Sequence, residues 1–147
     1  MKIFISIIIL TLFSSFSYAD KNMKIGSKGK EGDVTRVIKV AMYDNYYEPS
    51  SFKIKAGETI KFEVENLGEL VHEFNIANKM MHIKHQPEMQ KMVENEILLA
   101  DSIDKVKMKK MAKMDKAMGH SHSNSVLLEP KQKGNIIWKF DNAVNIE

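Results

Sequence analysis

Hydrophobic and polar residues alternate with period two over much of the first half of the chain, and that alternation predicts strands with one buried and one wet face. Ile38, Val40 and Met42 form the first such series. Phe52 and Ile54 alternate with Lys53 and Lys55. Ile60, Phe62 and Val64 alternate with Lys61, Glu63 and Glu65. Ala56-Gly57-Glu58 lies between these two runs, so they read as a hairpin. Asn66-Leu67-Gly68 ends the second run, and a third strand from Val71 to Ile76 puts His72 on the same side as Phe74 and Ile76. Near the C-terminus Ser125–Leu128 reads as a strand, Pro130 to Gly134 as a turn, and Ile136, Trp138 and Phe140 as the core face of a long strand. Val144 and Ile146 begin another.

Between residues 78 and 122 the alternation stops and helical spacing replaces it. Pro87 to Leu99 reads as one helix, with proline in its first turn. A second, capped by Asp101 or Ser102, runs to about Met118 and stops at Gly119. The result is a β-domain interrupted by a helical insert.

The ends of the chain read differently. A short charged start, the apolar run Ile3 to Phe13 and the small-residue close Ser17-Tyr18-Ala19 have the layout of a secretory signal peptide over residues 1–19. The apolar run is too short to span a bilayer. Residues 20–33 are charged and glycine-containing and read as a flexible linker, leaving 34–147 as the folded domain. Export places the protein in the periplasm, with no membrane span after cleavage.

Composition narrows the chemistry. There is no cysteine, so the exported domain relies on its core rather than on disulfides. The net charge of +3 is too small to argue for nucleic-acid binding, and Arg36 is the only arginine. No nucleophile–base–acid trio and no Gly-rich phosphate loop stands out, so no enzymatic activity is expected.

His72 carries two readings: a buried, hydrogen-bonded neutral imidazole, or a metal ligand. The pattern Y-x-P…F-x-I-K-A-G-E-T-I-x-F-x-V-x-N-x-G…H-E-F is carried by Tyr47, Pro49, Phe52, Lys55 to Thr59, Phe62, Val64, Asn66, Gly68 and His72 to Phe74. It resembles periplasmic cupredoxin-like copper proteins, relatives of plastocyanin and azurin. A second block, His120 to Val126, then Leu128-Glu129-Pro130 and Ile137 to Phe140, agrees with it. The resemblance implies a mainly β, Greek-key β-sandwich, here carrying the Met/His-rich helical insert. It implies His72 as the first copper ligand. It also implies a later loop with a cysteine, a histidine and a methionine, which this sequence does not contain. A complete type 1 centre is therefore not expected from this chain alone, and the last strand or strands of the sandwich read as missing.

The insert adds soft donors. Eight of the eleven methionines lie between Met80 and Met118, and His82, His85, His120 and His122 are nearby. Thioethers prefer Cu(I), and imidazole accepts either copper state. Met108, Met111, Met114 and Met118 fall roughly on one helix face, which reads either as a packing surface or as a copper contact. His120-x-His122 after Met118 is the stronger signal, and His82 with His85 the weaker. Zinc at the histidines stays open, but the usual cysteine-containing zinc spacings are excluded. The expected metal sites are thus His72 in the folded domain and Met114, Met118, His120 and His122 in the insert. The expected function is copper handling or single-electron transfer with Cu(I)/Cu(II), with a redox or copper-transfer protein as partner. The competing expectation is a non-metal interaction module, or an inactive remnant, pairing through an open sheet edge.

Overall fold

The structure is a computed structural model that describes residues 25–146. The signal peptide read over residues 1–19 and the start of the linker lie outside the described residues. No helix among the described residues is long and apolar enough to cross a membrane.

The architecture is mainly β. Strands β1 (Ser27–Lys28), β2 (Arg36–Met42), β3 (Tyr47–Glu48), β4 (Phe52–Ile54), β5 (Thr59–Asn66) and β6 (His72–Asn75) precede the insert. Helices α1 (Lys79–Glu94) and α2 (Lys105–Met111) follow, then a 3-10 turn at Lys116–Gly119. Strands β7 (Ser125–Leu128), β8 (Lys133–Lys139) and β9 (Val144–Ile146) complete the order. One mixed sheet runs β1-β8-β5-β2-β3, and β4-β9 and β6-β7 form two-stranded ladders. Strand β5 lies at the centre of the large sheet, parallel to β2 and antiparallel to β8. The layers enclose one core of Val40, Met42, Ile54, Ile60, Phe62, Val64, Phe74, Ile76, Leu128, Ile136, Trp138 and Phe140. Phe62 sits at its middle, with Phe52, Phe74 and Phe140 rings around it at 5.2–6.3 Å between centroids. This is the stacked-sheet sandwich that the family resemblance implies.

Several local expectations change. The two runs flanking Gly57 are not a hairpin: β4 pairs with β9, whereas β5 pairs with β2 and β8. The turn with Gly57 at φ +82 instead carries the chain from one layer to the other. Gly57 N–H donates to Phe140 C=O and Phe140 N–H to Glu58 C=O, which fixes the crossing against the end of β8. Part of the segment read as a linker is ordered: Ser27–Lys28 pairs with Trp138 and Lys139, and Glu31–Asp33 forms a 3-10 turn. The edge of β8 offers that short segment backbone partners.

The helices are also displaced from their expected bounds. Helix α1 begins eight residues before Pro87 because the side-chain oxygen of Asn78 accepts from Met81 N–H at 2.9 Å, an N-cap. Pro87 thus lies inside the helix. Asp104, not Asp101 or Ser102, caps α2, accepting from Lys107 N–H at 2.8 Å. Helix α2 ends at Met111, and Asp115 caps the 3-10 turn that follows. The insert has its own small core, Met92, Ile97 and Met118, joined by Met89, Leu98, Met108, Met111 and Leu127.

Two buried or half-buried polar side chains tie the insert and loops to the sandwich. Asn66 is fully buried; its amide donates to Leu70 C=O and Leu128 C=O, and its Oδ1 accepts from Gly68 N–H. Glu129 accepts from Ile103 N–H, Lys105 and Gln132.

Removing the Asn66 side chain deletes three hydrogen bonds, to Leu70 C=O, Leu128 C=O and Gly68 N–H, the last two of them buried. Asn66→Ala is therefore expected to cost about 2–3 kcal/mol in urea unfolding; a loss under about 0.5 kcal/mol would contradict this account. The Lys105 hydrogen bond and the Ile103 N–H hold the Glu129 carboxyl below its ordinary value of 4.5, against a lesser opposing effect of burial. A lowered folded pKa gives stability that is complete above the unfolded value and disappears as pH falls through the folded one. The stability gap between wild type and Glu129→Gln should thus be full at neutral pH and shrink steadily once pH drops below 4.5. A gap that stays constant through that range in thermal melts would refute the assignment.

Candidate metal centre

The β6–β7 ladder places the two ends of the insert side by side. His72 pairs with Leu128 and Asn75 with Ser125. Beyond the ladder Ile76 N–H donates to Asn124 C=O, and the Asn124 amide donates back to Ile76 C=O and to Asn75 Oδ1. Successive strand residues face opposite ways. His72 and Glu73 therefore serve two different places.

On one side His72 Nε2 lies 2.9 Å from Asp44 Oδ1, with its ring edge-on to Tyr47 at 6.4 Å. Asp44 Oδ1 also accepts from the backbone N–H of Glu69 and Leu70. A carboxylate only accepts, so His72 Nε2 carries the proton and, in a neutral ring, Nδ1 keeps the lone pair. The hydrogen bond from His72 is the main reason the Asp44 carboxyl stays below its ordinary value; the Leu70 and Glu69 amides add to it against the opposing effect of burial. Gly68 permits this contact, because a Cβ there would collide with Asp44 Oδ1 and approach His72 Nε2 to 2.9 Å.

On the other side Glu73 meets the insert. His85 Nε2 is 3.1 Å from Glu73 Oε2, His120 Nε2 is 3.2 Å from Glu73 Oε1, and the two imidazole nitrogens are 3.4 Å apart. His122 Nε2 is 2.8 Å from Glu88 Oε1, and His85 Nδ1 is 3.6 Å from Glu88 Oε2. The three imidazoles form a near-equilateral triangle with centroids 5.0–5.2 Å apart and rings steeply inclined to one another. One donor atom from each of His85, Glu88, His120 and His122 falls within 4.8 Å of all the others.

Local structure explains the convergence. On α1, Met81, His85, Glu88, Met89 and Met92 share one helical face, and Met92 is buried in the insert core. His82 is out of phase with that stripe and is exposed. His120 follows the 3-10 turn at φ +43, in the left-handed region that costs a non-glycine residue energy. That backbone directs its side chain inward, where it is only 5% exposed. His122, two residues on, is the most exposed imidazole of the set at 36%.

The cluster suits a cation. Ligand atoms bound to one ion at about 2.0–2.1 Å lie roughly 3.3 Å from each other, close to the His85–His120 spacing. Glu73 Oε1 and Ser125 Oγ are buried and make no directed hydrogen bond. Burial pushes the Glu73 carboxyl up, but His120, Ser125 and His85 together outweigh it and hold the group below the ordinary glutamate value. A charged carboxylate thus sits beside the His85 and His120 imidazoles.

The positions expected from sequence are divided among four environments. His120 and His122 come together, and His85 joins them. His72 lies apart, with Asp44. Met118 is buried among Met92, Ile97 and the other apolar residues of the insert. Met114 is 77% exposed, because α2 ends before reaching it. Glu73 and Glu88 were not singled out by sequence. The available signal was the spacing of His85 and Glu88 on the methionine stripe of α1.

The Asp44–His72 contact is open to direct measurement. Carboxyl-carbon NMR titration should find Asp44 titrating below 3.8, with His72→Ala moving it back upward. An Asp44 titration untouched by that substitution would exclude the contact.

Comparison with known proteins agrees with the architecture. The sequence profile described as "Cupredoxin-like domain" matches residues 4–112. A "Copper-resistant cuproprotein CopI" of Pseudomonas aeruginosa is 35% identical over 128 residues, covering 83% of this chain and 71% of that protein. A protein of the same name from Rubrivivax gelatinosus is 23% identical over 129 residues, covering 87% of this chain and 64% of that protein. The chain therefore spans less than the full length of both relatives, and under two thirds of the second. No solved structure matches. A two-layer sandwich with a central β5, the alternating core around Phe62 and the profile over most of its length carry one conclusion: the chain belongs to the cupredoxin-like domain family.

Proposed function

We propose that this is an exported copper-binding protein that handles copper at the cluster of His85, His120, His122 and Glu88, with Glu73 beneath it. The observation that carries this reading is the convergence of four donor atoms within 4.8 Å of one another. Three imidazoles and a carboxylate suit Cu(II), which outcompetes Zn(II) at such donors, and imidazoles alone can retain Cu(I). The two relatives named as copper-resistant cuproproteins support copper over other cations. The leader-like start at residues 1–19 supports export to the periplasm.

Copper handling is favoured over electron transfer for a chemical reason. Fast one-electron exchange in this family type relies on a thiolate-ligated copper, and the cluster of His85, Glu88, His120 and His122 contains no thiolate. Copper bound at the cluster would be held by hard and borderline donors. The chain's own residues would hold the ion there: the three imidazoles and Glu88 supply donor atoms, and the Glu73 carboxylate beside the Nε2 atoms of His85 and His120 adds negative charge. His72 with Asp44 would be a separate, single-imidazole position.

Chelator-competition titration of the folded protein tests this. One Cu(II) equivalent is expected, with a nitrogen-rich paramagnetic resonance signature and no thiolate charge-transfer band. Affinity should fall by more than about 100-fold in the His120→Ala/His122→Ala double variant, and about 10-fold or more in Glu73→Gln, which removes a negative charge beside the donors. His72→Ala and Met114→Ala should leave that first equivalent unchanged. Binding that survives loss of His85, His120 and His122 would overturn the assignment.

A further inference from the structure

A cleft of about 800 Å³ opens beside the cluster, and its walls include Glu88 and His122 together with Met108, Ala112, Lys109 and Lys116. His122 is the most exposed ligand, so this cleft is the way to the cluster from solvent. Lys109 and Lys116 line this wall, and Lys110 and Lys113 lie between them in sequence; all four are exposed. None of the four makes an ion pair among the described residues, whereas Lys91, Lys105 and Lys107 are paired with Asp115, Glu129 and Glu96. The mouth is thus cationic, while the interior holds the carboxylates of Glu88 and Glu73.

That arrangement is unfavourable for a bare metal cation, which the ammonium groups repel over a distance of about 8 Å at physiological ionic strength. It is favourable for a metal that arrives as an anion. Resting on the copper assignment above, we propose that the cleft receives copper as a small anionic carboxylate chelate and strips it. The lysines hold the chelate's carboxylates. The copper–carboxylate bonds break as bonds to His122, then to His85 and His120, form. The metal keeps its oxidation state, so no electron moves. The chelator leaves as its free polycarboxylate anion, more negative than the complex by the charge of the cation surrendered. A volume of this size accommodates a small molecule, and Met108 and Ala112 supply an apolar surface for its methylenes.

Stopped-flow loading distinguishes the possibilities. Wild type and the Lys109→Glu/Lys113→Glu/Lys116→Glu variant are each loaded from Cu(II)–nitrilotriacetate, an anion, and from Cu(II) bis-glycinate, which is neutral. The substitution is expected to slow loading from the anion by about 10-fold or more and to abolish its decline with added salt. Loading from the neutral donor should change by less than about twofold, and the final affinity should not change, since no ligand is touched. The milder Lys→Gln triple variant should fall between, with melting temperatures verifying that both variants are folded. Equal slowing from both donors, or none from the anion, overturns the role of the lysines while leaving the copper site standing. Failure of wild type to take copper from either donor instead removes the copper site itself. Metal-free oligoglutamate that binds the lysines without slowing the anionic chelate would mark the surface as one for acidic polypeptide and overturn the small-chelate assignment.

Discussion

The structure depends on the short antiparallel ladder of β6 with β7 and on the Asn124 clasp beyond it. Ile76 and Asn124 exchange backbone and side-chain hydrogen bonds, and so the residues between them leave and rejoin the sandwich at one point. Closing a loop of that length costs entropy that grows only slowly with length, so a long insert is tolerated once its ends are pinned. The pinning does more than tolerate it. Glu73 on β6 and His120 and His122 just before β7 are thereby delivered to one place, while α1, starting a few residues after β6, delivers His85 and Glu88 to the same place.

The sandwich provides rigidity that the insert lacks on its own. Phe62 and its aromatic neighbours pack the space between the layers, and β5 is paired on both sides along its length. The insert contributes a small core of largely methionine side chains. Methionine is flexible and fills irregular gaps between short helices that do not pack in a regular geometry. The thioethers buried here thus serve packing, while the imidazoles of His85, His120 and His122 gather outside that core. Glu129 and the Val71–Ala100 backbone contact fasten the tip of the insert to the sandwich.

Two histidines from the same strand ends have separate surroundings. His72 is held by Asp44 at the end of the sandwich near the loop that Asn66 organises, which is where the family resemblance places a ligand. The three-imidazole cluster is built by the insert on the other face of β6. A cupredoxin-like scaffold therefore supports a second centre of different chemistry, with borderline nitrogen donors, two carboxylates and a cationic mouth.

Much of this was open to a reading of residues alone. Period-two alternation determined β2, β5, β8 and the inward faces of Phe62, Val64, Ile136 and Trp138, since a pleated strand with one dry face leaves few other patterns. The family and the stretch holding the helical insert were equally legible. The partners of the strands were not: Gly57 permits either a hairpin or a crossing between layers, and only the pairing of β4 with β9 decides between them. Helix phase was likewise ambiguous until Met92 was buried, which turned His85 inward and left His82 in solvent. Met114 left the methionine stripe because Asp115 caps a new turn and breaks the periodicity. Glu73, adjacent to His72 in sequence, joined the cluster through strand pleating and the closure of a long loop, a contact between distant segments that no local pattern encodes.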